Sequence, residues 1–170
     1  MRAAVATLGA TVVALAATAS SAGEGRQVIV IGVKLCTPAE VRSTVGRFVA
    51  AHNAGDGRRL DRVFAPEPDF RWYSTDAPGK RLLPAAADRA SLSRYFASRH
   101  ARHERLRLTS LRVNGNTIAA GTLKSYGNFQ FTLEREASDL PATDYQGKGA
   151  LHCHRSTPDV LIVWAMGRAA

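Results

Sequence analysis

The hydrophobic period of this sequence changes once, close to residue 104, and that change restricts the fold more than any other feature. Before it, apolar residues recur at helical spacing in three segments that begin after Thr37, Asp56 and Asp88. After it, apolar and polar residues mostly alternate, as they do in half-buried β-strands. Three helices followed by a run of strands predict an α+β domain in which the helices gather on one face of a sheet.

The helical segments have recognisable ends. Thr37 can cap the first helix, Pro38 suits its first position, and Glu40 completes a capping box. Gly55 is expected to end this helix, because glycine is the residue that most often follows a helix C-terminus. The third helix is expected to reach about His103.

The strands are predicted in two groups. Residues 69–74 alternate, residues 76–79 have turn chemistry, and residues 80–83 can return as the second strand of an early hairpin. Four longer strands are predicted after the third helix, over residues 105–113, 117–135, 145–155 and 160–166. Asn114 and Gly115 are a strong turn signal between the first two of these. We therefore expect a cone-shaped, curved antiparallel sheet wrapped around three helices of the N-terminal half, with a hollow between the layers.

The first 22 residues have the layout of a secretory signal peptide. Arg2 precedes an uncharged run over residues 3–19, and small residues follow where a signal peptidase would cut. The run is short and rich in Ala and Thr for a membrane-spanning helix, which needs about 20 strongly apolar residues. An uncleaved anchor or a disordered tail is the alternative. We expect cleavage and a secreted or extracytoplasmic protein that has no stable membrane span once the signal is removed.

The rest of the chain is predicted to form one domain. Its length of 170 residues suits a single domain. Residues 23–36 are expected to be an N-terminal segment that can carry an extra strand over residues 27–33, and residues 37–170 the folded domain.

The net charge of +9 would favour acidic partners. The arginines are scattered rather than clustered, and an exported protein rarely meets nucleic acid. We therefore expect no nucleic-acid partner.

The chain has two cysteines, Cys36 and Cys153. An oxidising compartment favours their pairing. The bridge would close a loop of more than a hundred residues, which is worth about 4 kcal/mol in the chain-entropy model. Two free thiols are the alternative, and we predict the disulfide.

Several segments resemble one known superfamily. Residues 47–56 (Arg-Phe-Val-Ala-Ala-His-Asn-Ala-Gly-Asp), residues 76–79 and the last strand over residues 160–167 are similar to the first helix, the first hairpin and the final strand of nuclear transport factor 2-like proteins. That superfamily includes ketosteroid isomerases and SnoaL-like polyketide cyclases. The resemblance covers residues 38–167, and it implies the cone-shaped fold with an internal cavity.

Only one of the three catalytic positions of the ketosteroid isomerases has a polar counterpart in this sequence. Phe48 stands where those enzymes have an oxyanion-binding tyrosine, and the second acid would fall near Leu151 or His152, where there is no carboxylate. Asp76 falls near their general base and is the candidate catalytic residue, although its place in an Asp-x-Pro-Gly sequence also fits a plain turn. Steroid-type isomerisation is therefore not expected.

Four residues are candidates for lining the cavity: Trp72, Tyr73, Tyr95 and Arg99. The aromatic residues can present polar tips to a ligand, or they can be ordinary core. Arg99 can recognise a carboxylate or phosphate, or it can pair with a protein carboxylate such as Asp69 or Glu104.

No metal and no cofactor is expected. His152 and His154 share one strand face, and His100 and His103 lie close together in sequence, but the spacing is loose for zinc. If Cys153 points inward, its two histidine neighbours point outward, away from the cavity.

Three functional hypotheses remain. The first is a domain that binds a small apolar or amphipathic molecule in its cavity, without established catalysis. The second is an enzyme of isomerase, cyclase, dehydratase or hydrolase type with Asp76 as the base. The third is an interaction module that forms a homodimer through the outer sheet face and fills its cavity with side chains.

Overall fold

The computed structural model describes residues 33–76, 84–119, 124–155 and 157–169. The predicted signal peptide (1–22), residues 27–32 of the predicted extra strand and the return strand at residues 80–83 lie outside this part. Three helices and six strands occupy the described ranges: α1 Pro38–Ala54, α2 Gly57–Val63, β1 Trp72–Asp76, β2 Pro84–Ala86, α3 Arg89–His100, β3 Arg105–Ile118, β4 Ser125–Ala137, β5 Leu140–His152 and β6 Val160–Arg168. Among the described residues, no helix is long and apolar enough to cross a membrane.

The helices begin where the capping residues predicted. Thr37 caps α1 within a complete capping box, and Asp56 and Asp88 cap α2 and α3. α3 ends at His100, one turn before the predicted end at His103, which has a positive φ of 55°. That backbone conformation takes the chain out of the helix and into β3.

The six strands form one sheet in the order β2-β1-β6-β5-β4-β3. Every neighbouring pair is antiparallel except β1 and β6, which run parallel. The predicted α+β fold with three helices against a curved sheet is confirmed, and the parallel pair makes the sheet mixed. This pair arises because the last strand returns beside the first after the hairpins of β3 to β5.

The predicted turn at Asn114 and Gly115 is wrong. β3 continues to Ile118, and its register with β4 shifts between Val113 and Gly115. Gly115 has a φ of 94°. A β-bulge and a tight turn use the same left-handed glycine conformation, and here the glycine serves a bulge inside a long strand.

Aromatic side chains fill the space between the helices and the sheet. Phe48 of α1 is fully buried at the centre of this group. Its ring lies within 6.3 Å, between centroids, of five other rings: His52, Phe64, Tyr73, Phe96 and Trp164. The interior predicted as a hollow is therefore occupied by packed rings at this level.

Two glycines of β5 make room for this aromatic layer. A Cβ on Gly149 would lie 2.4 Å from the Phe129 ring, and a Cβ on Gly147 would lie 2.4 Å from the Phe131 ring. Phe131 of β4 and Trp164 of β6 stack with their centroids 4.0 Å apart. The two rings thus meet over β5, the strand between them.

The predicted disulfide between Cys36 and Cys153 is present. The Cys36 N–H donates to Asn116 Oδ1 at 2.8 Å, and Asn116 Nδ2 donates to the Cys36 carbonyl at 3.0 Å. A Cβ on Gly127 would lie 2.6 Å from Cys36 Cβ, so this glycine lets the disulfide approach the sheet. The residues that lead into α1 are therefore fixed to β3, β4 and the end of β5.

Candidate functional site

A buried ionic cluster forms around Glu104, the residue before β3, which is 1% exposed. Its Oε2 accepts a hydrogen bond from Arg135 Nε at 2.8 Å and pairs with Arg99, while His52 Nε2 lies 3.2 Å from Oε1. Burial acts to raise the pKa of Glu104, but His52, Arg135 and Arg99 outweigh it and lower the pKa to about 2. Glu104 is therefore an ionised carboxylate inside the domain.

Arg135 of β4 completes this cluster. Its Nη2 donates to the Tyr95 hydroxyl at 3.0 Å, and its Nη1 donates to Thr75 Oγ1 at 2.8 Å and to the Tyr145 hydroxyl at 3.4 Å. Burial would lower the pKa of Arg135, but Tyr95 and Glu104 raise it overall. All its donors have protein partners, so Arg135 ties helices and strands together and leaves no group for a ligand.

Trp72 and Tyr73, two of the predicted ligand residues, lie on β1. Tyr73 is fully buried in the aromatic core, and its hydroxyl has no hydrogen-bond partner among the described residues. Burial raises the pKa of this hydroxyl well above its usual value. Trp72 is half-buried. Neither residue lines the two pockets described below, and their role in binding stays a prediction.

The other two predicted ligand residues, Tyr95 and Arg99, belong to α3. Tyr95 accepts from Arg135, and burial raises the pKa of Tyr95 to about 12. Arg99 pairs with Glu104 and, at 2.9 Å, with Asp139. The ion-pair interpretation of Arg99 thus has its partners in the structure, and ligand recognition by either residue stays a prediction.

Asp76 is the last residue of β1, and its backbone pairs with Gly167 of β6. Its side chain lies outside the described part of the structure, as do residues 77–79 of the predicted turn. The role of Asp76 as a general base therefore stays a prediction.

The residues considered for a metal are divided between separate places. His152 and His154 have ring centroids 4.1 Å apart, and burial and the neighbouring His154 lower the pKa of His152. Among the described residues, one trio of metal-type side chains has its ligand atoms within 4.8 Å of one another: Glu40, Cys153 and Asp159. The sulfur of Cys153 is bonded to Cys36 and has no thiolate to offer, so this trio does not fit a metal site.

A pocket of about 290 Å³ lies among the end of α1, α2 and α3, and we call it the helix pocket. Its apolar lining includes the buried side chains of Leu60, Leu92 and Phe96. Ala97 and Ser93 of α3 also line it and are exposed. The sequence patterns did not predict this pocket, because it is created by how three separate helices pack.

Two polar residues of the helix pocket have unsatisfied buried atoms. His52 is 3% exposed, and its Nδ1 has no hydrogen-bond partner among the described residues. Arg89 Nη1 is likewise buried and without a partner there, whereas Nη2 donates to the Asp61 carbonyl at 2.6 Å and pairs with its carboxylate. A buried polar group without a partner costs about 1–3 kcal/mol. The available signal for His52 was a titratable residue on the apolar face of a predicted helix.

The outer face of the sheet carries a second pocket of about 460 Å³. Exposed polar side chains of β3, β4 and β5 contribute to its lining, among them Arg112, Gln130, Thr132, Gln146 and Lys148. The homodimer predicted to form through this face stays a prediction.

Neither a protein-family model nor a curated protein sequence matches the chain. Solved structures do match. A ketosteroid isomerase-like protein from Erwinia carotovora atroseptica is 9% identical, with a TM-score of 0.51 over 78% of this chain and 95% of the other. A protein of unknown function with a cystatin-like fold from Nostoc punctiforme is 14% identical, with a TM-score of 0.56 over 77% and 90%.

A third match is a nuclear transport factor 2-like protein with a cystatin-like fold from Novosphingobium aromaticivorans, 12% identical, with a TM-score of 0.50 over 76% of this chain and 80% of the other. At such identities the likeness concerns the fold, and it agrees with the order of three helices and six strands described above. This chain therefore has the fold of the nuclear transport factor 2-like superfamily.

Proposed function

We propose that this protein binds a small amphipathic molecule in the helix pocket. The observation that carries the proposal is a recess of about 290 Å³ with an apolar floor and a few polar groups on its wall. Ligand sites in proteins have this composition.

The interior of the cone is a less suitable place for the ligand. The rings around Phe48 pack against one another there, and Arg135 uses all its donors on protein atoms. A ligand in that space would have to displace packed side chains, whereas the helix pocket needs no such change.

We also propose that the protein is exported. The uncharged run behind Arg2 supports export, and so does the disulfide between Cys36 and Cys153, because disulfides persist mainly in oxidising compartments.

Binding can be tested with naphthol as a small amphipathic probe, observed by saturation-transfer NMR at neutral pH. Ala97→Trp places a large ring in the pocket, and Ser98→Trp places the same ring on the same helix outside it. We expect the wild type and Ser98→Trp to bind the probe and Ala97→Trp to lose most of the signal. Equal signals from the two variants, or none from the wild type, would rule out the helix pocket as the site.

A further inference from the structure

We infer that the second pocket, on the outer face of the sheet, binds an acidic polysaccharide whose negative groups recur on every second sugar. We call this recess the sheet pocket. It has a volume of about 460 Å³, lies among β3, β4, β5 and β6, and shares no lining residue with the helix pocket. The inference is therefore independent of the proposed function and concerns a second ligand.

A single row of residues crosses the sheet pocket from strand to strand. Arg112 of β3 pairs with Gln130 of β4, and Gln130 pairs with Lys148 of β5. Residues directly opposite each other on neighbouring strands share a face, and all three of these residues are exposed. Neighbouring strands are about 4.8 Å apart, so roughly 10 Å separates the backbones of Arg112 and Lys148.

The two cations of this row are available to a ligand. Neither Arg112 nor Lys148 has an ion pair or a side-chain hydrogen bond with another described residue. The carboxylates of Glu134 and Asp144 are on the same face but four residues away along β4 and β5, roughly 13 Å, and neither lines the pocket. Glu134 is moreover paired with Arg107 at 2.8 Å. The sheet pocket therefore attracts negative charge.

Neutral hydrogen-bonding groups lie beside the two cations. The next row across the sheet contains Ser110, Thr132 and Gln146, which are exposed and line the same pocket. Thr132 shares a hydrogen bond with the Thr109 hydroxyl, whereas the side chains of Ser110, Gln130 and Gln146 have none with a described residue. Hydroxyl and amide side chains both donate and accept, as sugar hydroxyl groups do, so this mixture suits a carbohydrate.

Small residues of β6 keep the recess open. Lys148 lies opposite Ala165, Gln146 lies opposite Gly167, and both β6 residues line the pocket. Neither has a side chain that extends beyond Cβ, so the long side chains of β3 to β5 border a shallow apolar floor. Such a floor can contact the C–H face of a sugar ring.

The spacing of the cations selects the kind of polymer. A sugar ring in a linear polysaccharide is about as long as the distance between neighbouring strands. A chain that lies along the row thus places one sugar over each of β3, β4 and β5. Negative groups on the first and third sugars would meet Arg112 and Lys148, and a neutral sugar would lie over Gln130.

Two other occupants suit the sheet pocket less well. Sites for single-stranded nucleic acid usually stack the bases on aromatic side chains, and among the described residues no exposed aromatic side chain lines this pocket. A second copy of the chain would bring more positive charge to the face, because the net charge is +9.

Hyaluronate has the required alternation, since a uronic acid alternates with a neutral sugar. Calorimetric titration at physiological salt can compare a hyaluronate oligosaccharide with its methyl ester, in which every carboxylate is blocked. A single-stranded DNA oligonucleotide with the same number of charges is the third probe. We expect the wild type to bind hyaluronate and to bind the ester and the DNA at least about tenfold more weakly, because each lacks part of the matched set of groups.

Variants test whether this row is the site. Arg112→Gln and Lys148→Gln should each weaken hyaluronate binding by about tenfold, the effect of one charge-assisted hydrogen bond. Gln130→Leu keeps the charge and should weaken binding by about fivefold. Arg58→Gln and Arg94→Gln remove the same charge from exposed positions on α2 and α3 and should bind as the wild type does.

Four results would overturn the inference. Hyaluronate that does not bind the wild type would remove the site, and DNA that binds as tightly would show that only charge is recognised. Equal weakening by Arg58→Gln and Arg112→Gln would show the same. A wild-type dimer in light scattering that Lys148→Glu separates would show that this face binds a second copy. Because the helix pocket is a separate recess, none of these results bears on the function proposed for it.

Discussion

His52 and Glu104 lie side by side in the interior, with Nε2 and Oε1 3.2 Å apart and almost no solvent exposure on either residue. The first is near the end of α1 and the second immediately precedes β3. One side of this pair contacts the buried arginines, and His52 on the other side lines the helix pocket. The pair thus connects the ionic cluster that supports the fold with the pocket proposed to bind a ligand.

The lowered pKa of Glu104 predicts a loss of stability in acid. Its pKa is about 2 in the folded protein and 4.5 in its ordinary range, so the contribution is complete above about pH 4.5 and is lost as the pH falls towards 2. The contribution to the free energy of unfolding is about 3 kcal/mol, because a pKa difference of one between the folded and unfolded states corresponds to 1.36 kcal/mol. Urea unfolding at several pH values between 7 and 2.5 measures it.

The matched variants for this prediction are Glu104→Gln and Glu136→Gln. Glu104→Gln removes the buried charge and should lower the free energy of unfolding by about 3–5 kcal/mol at pH 7, because it leaves Arg99 and Arg135 without their shared partner. The stability of Glu104→Gln should then change less between pH 4.5 and 2.5 than that of the wild type. Glu136 is exposed, so its variant should behave as the wild type. A steep acid response in Glu104→Gln would contradict the assignment.

The disulfide should contribute about 4 kcal/mol to the free energy of unfolding, because it joins residues 117 apart. Thermal unfolding of the domain should shift to lower temperature when dithiothreitol is added. The double variant Cys36→Ala with Cys153→Ala should have the lower melting temperature with or without the reductant. A wild-type melting temperature that dithiothreitol leaves unchanged would mean that the bond does not support the folded state, or that it is inaccessible to the reductant; the double variant separates these two cases.

Adding a methyl group to the glycines of β5 should disturb the aromatic layer. In Gly149→Ala the new Cβ meets the Phe129 ring at 2.4 Å and the Val163 carbonyl oxygen at 2.8 Å. Overpacking of this kind costs about 1–3 kcal/mol, which denaturant titration will detect. Gly46→Ala is the control, since nothing lies within 4 Å of its added Cβ and alanine is the better helix former. The free energy of unfolding of Gly46→Ala should rise by up to about 1 kcal/mol.

Local signals in the sequence were sufficient for the helix starts. Each helix is capped by a side chain that contacts the residue three positions on: Thr37, Asp56 and Asp88. A few consecutive residues therefore determine where each helix starts. The Asn114-Gly115 pair misled because its preference for a left-handed backbone does not distinguish a turn from a bulge. Only the partner strand decides between them.

The candidate site was much harder to predict, because its contacts join distant parts of the chain. Arg135 reaches Glu104 across 31 residues, and that contact depends on the register of β3 with β4. The lining of the helix pocket depends on the angle between α2 and α3, which hydrophobic period does not encode. Two features were visible in advance: the pairing of Arg99 with Glu104, named as one alternative, and His52 as a single polar residue on an apolar helix face.

The two glycines of β5 limit how the interior above this strand can be changed by substitution. Gly147 and Gly149 have no side chains to shorten, yet the rings that cover them come from the strands on either side. More space directly over these glycines therefore requires a smaller residue at Phe129, Phe131 or Trp164, and no substitution at the glycines themselves can create it. Selection or design for a larger interior above β5 has to act on the neighbouring strands β4 and β6, or on the helices that face them.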